Sequence, residues 1–393
     1  MSEPVRILHI VGAMYPGGVE NFIMNLYRKM DRDKFQFDFA VHEKRENDYI
    51  PEIESMGGKV YVLPRLTKDP FGNLKQIYNL SRQYGLVIRH TANALVSLQL
   101  LAAKKAGSVT VCHAHSSDDP QKILHYAGRW LMRYSCDVRL ACSLQAGKWM
   151  YGKRQEGKDI LLEEGTTNKT KGKKSLQQKG TFSIVHNAID LNAFAYGEEK
   201  RKKIRDEFSL GERHVYGNVA NYIPVKNHDF LLRIFKEIVQ LDPEAVLLCV
   251  GEGELRQEIE QKIQNLHLNG HVILTGLRND VKDILSSLDV LLFPSIFEGL
   301  PLTLIEAQAA GLPMLISDVI TEDVIVTKGL VNRLSLHDSP KEWAKKAVAL
   351  AQEPTDRICQ KASMAQHGYD LASLASWYEQ FFAYCLSTPK EQQ

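Results

Sequence analysis

Residues 293–311 read FPSIFEGLPLTLIEAQAAG, a strand end, a turn and a helix in immediate succession. The apolar run 290–293 stops at Pro294, and a run this short bounded by Pro and Ser predicts a buried parallel strand. A turn containing Gly299 follows. Residues 302–310 then have helical character, closed by Gly311 with Pro313 just beyond, the usual stop signal. In a parallel sheet such a turn lies at the carboxyl edge, where the ligands of open α/β sheets collect. The first-turn amides near Leu300 and Leu302 are free donors, and the helix dipole adds partial positive charge. An anion, most naturally a phosphate, fits there.

Two carboxylates belong to this unit. Glu298 lies in the turn and Glu306 in the helix, beside the small and apolar residues 307–310. Either alone is most simply a solvated surface residue. Flanking a phosphate-ready helix start, the pair instead suits sugar hydroxyls, since each O–H donates and an ionised carboxylate only accepts. The pattern Glu298-Gly299-Leu300-Pro301-(x4)-Glu306 resembles the Glu-x7-Glu motif of the large retaining nucleotide-sugar glycosyltransferase family of GT-B fold, the group 1 glycosyltransferases. The similarity is nearest to the exopolysaccharide and capsule branch.

The 393 residues suffice for two domains, each with its own core. A hydrophobic content of 44% and a charged content of 24% are those of a soluble globular enzyme. A formal net charge of +2 demands no nucleic-acid partner. The six cysteines show no Cys-x2-Cys spacing, and most lie in apolar runs, so they read as reduced core residues rather than zinc ligands or disulfides. The first residues, MSEPVRIL, do not form a signal peptide, and no stretch approaches the roughly 20 apolar residues of a spanning helix. A cytoplasmic protein is expected, any membrane contact being peripheral at the inner face of the plasma membrane.

Strand and helix alternate through residues 5–11, 37–41, 59–63, 87–89 and 109–112, the doubly wound pattern. The first strand runs into Gly17 and Gly18 and then a helix with Phe22, Ile23, Leu26 and Met30 on one face. The loop does not match Gly-x-Gly-x-x-Gly, which excludes a dinucleotide fingerprint. Its glycines allow close backbone approach to a ligand, and the family resemblance implies a Gly-Gly-x-Glu loop opposite the nucleotide phosphates. The strand at 109–112 ends in His113 and His115. Two His at this spacing without a supporting Cys or carboxylate pattern do not define a metal site. The resemblance implies one His near the reacting carbon of the donor sugar, aligned on His115 with His113 as the second choice. Residues 121–134 predict an amphipathic helix bearing Lys122, Arg129 and Arg133, with Lys148, Lys153 and Arg154 soon after. It reads as a solvated charged face or, by resemblance, a basic face for anionic membranes. The Gly-, Thr- and Lys-rich segment 163–180 predicts an exposed linker.

The second half opens with Asn187-Ala188-Ile189-Asp190, similar to the family's Asn-Gly-Ile-Asp signature with Ala188 in place of Gly. A strand at 215–220 leads to Asn221 and Lys226, then to a helix with Phe230, Leu231, Ile234, Phe235 and Ile238 on one face. The resemblance places an Arg and a Lys here to grip the diphosphate. Lys226 matches, but Asn221 stands at the Arg position, without the charge and fork of a guanidinium. Arg278 is the alternative cation. Strands at 245–250 and 272–275 run into Gly251 and Gly276, which resemble family loops beside the phosphates and the base. Residues 369–386 form an aromatic amphipathic helix, similar to one that crosses back onto the first domain.

The expectation is therefore an α/β protein of GT-B architecture with two Rossmann-like doubly wound domains facing across a cleft. Residues 1–180 would form an acceptor-side domain, 181–368 a donor domain and 369–393 the returning helix. The implied activity is retaining, metal-independent hexosyl transfer, without cofactor, from a nucleotide diphosphate sugar to a saccharide or lipid-linked saccharide acceptor. By resemblance, Lys226 and the amides by Leu300 and Leu302 hold the diphosphate, Glu306 the ribose hydroxyls, and Glu298 and His115 the donor sugar. A nucleotide-sugar epimerase and an inactive donor-binding subunit are the alternatives. The first would need acid/base carboxylates around the sugar, and the second is suggested by Asn221.

Overall fold

The apolar runs of the chain become parallel strands, because helices cover both faces of a parallel sheet and its strands can then be apolar throughout. The computed structural model describes residues 3–91, 93–115, 122–152, 155–156, 177, 181–353 and 356–387. The basic positions Lys153 and Arg154, and all of the expected linker 163–180 except Gln177, lie outside the described residues.

The chain divides into two compact units, Met1–Ala188 with Leu371–Gln393, and Ile189–Asp370. The first contains β1 (Val5–Ile10), β2 (Phe35–Val41), β3 (Val60–Val62), β4 (Leu86–Thr91), β5 (Val109–Ala114), β6 (Val138–Ala141), β7 (Gln155–Glu156) and β8 (Thr181–Ile184). Their order is β3-β2-β1-β4-β5-β6-β8-β7, so the chain reverses its direction of travel across the sheet between β1 and β4. The second contains β9 (Val215–Val219), β10 (Val246–Val250), β11 (Val272–Leu274), β12 (Val290–Phe293), β13 (Met314–Ser317) and β14 (Val331–Leu334). Their order, β11-β10-β9-β12-β13-β14, reverses between β9 and β12.

One boundary is corrected. Residues 181–184, assigned from sequence to the second domain, form β8, which pairs in parallel with β6 through Leu140↔Ser183 and Ala141↔Ile184. The division falls instead between Ala188 and Ile189. Sheet pairing overrides the linker signal here, because the strand's backbone groups are satisfied only in the first sheet.

The helix Leu371–Ser387 belongs to the first unit. Its Tyr378, Phe381 and Phe382 join Phe22, Leu26 and Tyr27 of the helix Gly18–Lys29 and Phe35, Phe37 and Phe39 of β2 in one apolar cluster. Each such ring, fully buried, contributes about 1.5–3 kcal/mol. The one carboxylate inside β2, Asp38, is fully buried and fully partnered. It accepts from Arg6 Nε at 2.7 Å, Tyr84 Oη at 2.7 Å and the Lys59 amide at 2.7 Å. All six cysteines are free, and only Cys359 is not buried. Among the described residues no helix is long and apolar enough to cross a membrane.

Candidate active site at the carboxyl edge of the second sheet

The reversal between β9 and β12 leaves the loops after these two strands side by side, the usual ligand position in such sheets. Three contacts join the loops, and a fourth reaches the last residue of β12. The Ile296 amide donates to Val225 O at 2.8 Å, and Asn227 Nδ2 to Pro294 O at 3.1 Å. Lys226 Nζ lies 2.6 Å from Glu298 Oε1 and 5.2 Å from the centroid of the Phe293 ring. Asn227 adopts the left-handed conformation, with φ 57°, which ends the short 3-10 turn Pro224–Lys226 and starts the helix His228–Leu241. Asn tolerates that conformation better than most residues. The two ion-paired side chains retain 17% and 11% of their exposure, so the pair is shielded yet reachable.

The helix after β12 is Leu302–Ala309, with Pro301 at the N-cap and no side-chain cap. Its first amides are thus left for another acceptor. At its other end the Leu312 amide bonds Ala307 O at 2.9 Å and the Gly311 amide bonds Gln308 O at 3.0 Å, with Gly311 at φ 59°. This is a Schellman stop. Leu304, Ile305, Ala307 and Ala309 are buried. Gln308 is buried too, and its amide donates to Leu304 O and Val324 O while accepting from the Val326 and Thr327 amides. These contacts fix the rotation of the helix and leave Glu306 half-buried beside its apolar face. Desolvation pushes the Glu306 carboxyl up to about 7.

Loops after β10 and β11 complete the edge. The Gly251 amide donates to Gly276 O at 3.1 Å, and the Tyr222 amide to Glu252 O at 3.0 Å. Gly251 has φ 150°, and a Cβ there would lie 2.0 Å from Ala220 O, so only glycine fits. Asn221 is exposed, at the position where the family resemblance implies Arg. Arg278 does not replace that cation. Its guanidinium is forked onto Asp280 at 2.7 and 2.8 Å and onto Glu207 at 2.7 and 2.9 Å.

The sequence-predicted residues thus divide. Asn221, Lys226, Gly251, Gly276, Glu298, Gly299, Leu300, Pro301, Leu302 and Glu306 all lie in the second unit, on the loops and helix that follow β9–β12. Gly17, Gly18 and His115 lie in the first. Gly17 caps and Gly18 begins the helix Gly18–Lys29, without a side-chain cap. His115 follows β5, its amide bonded to Thr91 O at 3.0 Å. Its Nε2 is 3.0 Å from His90 Nδ1, and His90 Nε2 is 3.0 Å from His9 Nδ1. Burial lowers His9 and His115 to about 3 and His90 and His113 well below the usual imidazole range. His9, His90 and Tyr378, whose Oη is 3.3 Å from His113 Nδ1, were not singled out from the sequence. Their signal lies in the register of β1 with β4 and in the packing of the helix Leu371–Ser387 on the first sheet, which no local pattern carries.

The profile of glycosyl transferases group 1 matches residues 199–364, and that of glycosyltransferase family 4 matches residues 16–152. The chain is 32% identical over 384 residues to the putative glycosyltransferase EpsF of Bacillus subtilis, covering 94% of each protein. It is 25% identical over 339 residues to the UDP-Gal:alpha-D-GlcNAc-diphosphoundecaprenol alpha-1,3-galactosyltransferase of Escherichia coli, covering 80% of each. The crystal structure of Anabaena Alr3699/HepE in complex with UDP superposes with a TM-score of 0.75 at 17% identity, covering 96% of this chain and 100% of that one. The fold expected from the sequence, a GT-B pair of Rossmann-like domains, is the fold of this chain.

Proposed function

Because the chain belongs to the group 1 glycosyltransferases, we propose that it moves a hexosyl group from a nucleotide diphosphate sugar to a hydroxyl of a saccharide or lipid-linked saccharide, with retained configuration, in bacterial surface polysaccharide assembly. The observation that carries this reading is the meeting of Lys226, Glu298 and an uncapped helix start where the second sheet reverses. The curated relatives support it by name, one acting from UDP-Gal on a diphosphoundecaprenol-linked saccharide.

In the proposed reaction the bond from the anomeric carbon to the diphosphate breaks and the acceptor oxygen bonds that carbon from the same face. The acceptor proton passes to the departing phosphate. Lys226 and the amides of the helix start stabilise the charge developing on the diphosphate, as fixed donors in a partly desolvated site. Glu306 accepts from the ribose hydroxyls. Glu298, held by Lys226, accepts from hydroxyls of the donor sugar, and the family resemblance sets His115 near its reacting carbon. No protein nucleophile or cofactor takes part.

Purified protein incubated without acceptor against a panel of uridine, guanosine and adenosine diphosphate sugars should release nucleoside diphosphate slowly from one of them, read by mass spectrometry. Interconversion of the sugar with the nucleotide still attached would make the protein an epimerase. Failure to bind any donor would end the proposal.

A lipid-linked acceptor implies contact with a membrane surface. The helix Lys122–Ser135 exposes Tyr126, Trp130 and Tyr134, at 56%, 62% and 58%, four residues apart and therefore on one face. Arg129 lies over the Tyr126 ring at 5.4 Å, and Arg133 is exposed. Aromatic rings interleaved with Arg suit the headgroup level of an anionic bilayer. Co-sedimentation with phosphatidylglycerol vesicles should exceed that with phosphatidylcholine vesicles, and Trp130→Ala with Tyr134→Ala should weaken it about tenfold. Equal binding of wild type and double variant would remove this helix from the membrane.

A further inference from the structure

The first sheet gathers histidines in a way the proposed transfer does not require. His90 of β4 and His113 of β5 are directly in register, so their side chains leave the same face of the sheet. His115, two residues on, shares that face, as successive side chains alternate. One potential ligand atom from each of His90, His113 and His115 lies within 4.8 Å of the others. We propose that these three residues form a binding site for a divalent transition-metal ion of zinc-like preference.

Geometry and partners both point that way. Nitrogens bound at about 2.0–2.1 Å in a tetrahedral zinc site stand about 3.3 Å apart, and His90 Nδ1 and His115 Nε2 are already 3.0 Å apart. His113 is fully buried, and its Nε2 makes no hydrogen bond among the described residues. An orphaned polar atom at such depth is a cost that a ligand would remove. Two of the three rings also have an outer partner at the opposite nitrogen. His9 Nδ1 sits 3.0 Å from His90 Nε2, and Tyr378 Oη 3.3 Å from His113 Nδ1. Such partners orient and fix the tautomer of metal-bound imidazoles.

The chemistry of the set selects the ion. Three imidazoles without a carboxylate suit zinc, copper or nickel and not magnesium or calcium. The proton now shared between His90 and His115 needs only to move to the other nitrogen of its own ring, so no proton is released. His115 is half-buried while His90 and His113 are buried, which leaves the fourth position for water on the His115 side. An ion bound there also withdraws His115 from the donor sugar, so zinc should inhibit transfer. That consequence rests on the proposed function, whereas the site does not.

The test uses tag-free, chelator-treated full-length protein titrated with cobalt(II). One equivalent should give the intense visible absorption of a four-coordinate ion, displaced by zinc and untouched by magnesium, and His113→Gln should abolish it. Only the weak absorption of six-coordinate cobalt, or a full spectrum in a folded His113→Gln variant, would overturn the site. If that variant does not fold, nitrogen-15 imidazole shifts of labelled wild-type protein decide the matter. Zinc must move those of three histidines, and shifts confined to exposed rings such as His337 would refute it. Zinc binding without inhibition would keep the site and remove His115 from the reaction.

Discussion

Replacing Lys226 by alanine is expected to lower the rate of sugar transfer by about a hundredfold or more, the usual cost of removing one fixed donor to developing charge. The ammonium group has two partners to lose. In the protein without donor it holds Glu298 at 2.6 Å, and both side chains are largely shielded from water. When the diphosphate departs, the same ammonium is the cation of the loop, because Asn221 brings no charge and Arg278 is committed to Asp280 and Glu207. A double-mutant cycle separates the two roles. If Lys226 acts on the leaving group, K226A with E298A loses more than either single variant. If Lys226 only positions Glu298, the double variant is no worse than E298A. Lys226→Arg should recover part of the rate, since it keeps the charge but presents it on a wider fork. A K226A protein that turns over within threefold of wild type would show that the diphosphate leaves without this lysine.

What made Lys226 and Glu298 visible in the sequence differs from what joins them. Each sits just past an apolar run ended by a turn, and that local signal was readable at residues 215–220 and 290–293. Their pairing across 72 residues follows from β9 and β12 being neighbours, which only the order of the finished sheet specifies. The histidines repeat the point. His113 and His115 could be seen at the end of one strand, but His90 and His9 come from β4 and β1 and meet them through register. The boundary error at residues 181–184 has the same origin, since β8 pairs with β6, whose Leu140 lies opposite Ser183 from a distant part of the chain. Periodicity reports burial along one segment, whereas a parallel sheet is assembled from segments that are not adjacent in the chain. Gln308 was passed over as part of a small, apolar stretch, yet its amide ties the helix to the Val326 and Thr327 backbone and so sets the direction of Glu306.

Glu306 gives the second large effect, and it is one of pH. Its carboxyl is raised to about 7 by desolvation, so in the free protein it is half protonated near neutrality. Ribose hydroxyls bind best to the ionised form, which accepts at both oxygens. Donor affinity should then fall as pH drops through 7, approaching tenfold per unit, and by about 30-fold between pH 8 and pH 5.5. The measurement needs the nucleotide sugar itself, because a terminal phosphate with its second pKa near 6 would titrate in the same window. His228, lowered to about 4, and His115, at about 3, do not titrate there. Glu306→Gln should bind weakly at pH 8 and show no pH dependence. A wild-type profile as flat as that of the variant would take Glu306 out of the ribose site. Stability must move the opposite way. A carboxyl whose pKa is higher folded than unfolded stabilises the fold when protonated, and that contribution is lost as pH rises from about 4.5 through 7. At pH 8 without donor, Glu306→Gln should therefore melt higher than wild type, by about 2–4 °C for each 1 kcal/mol of desolvation relieved in a domain of this size, while at pH 5 the two should nearly coincide. Adding the donor at pH 8 should reverse the order, since only the ionised wild-type carboxylate turns its desolvation into ligand contacts.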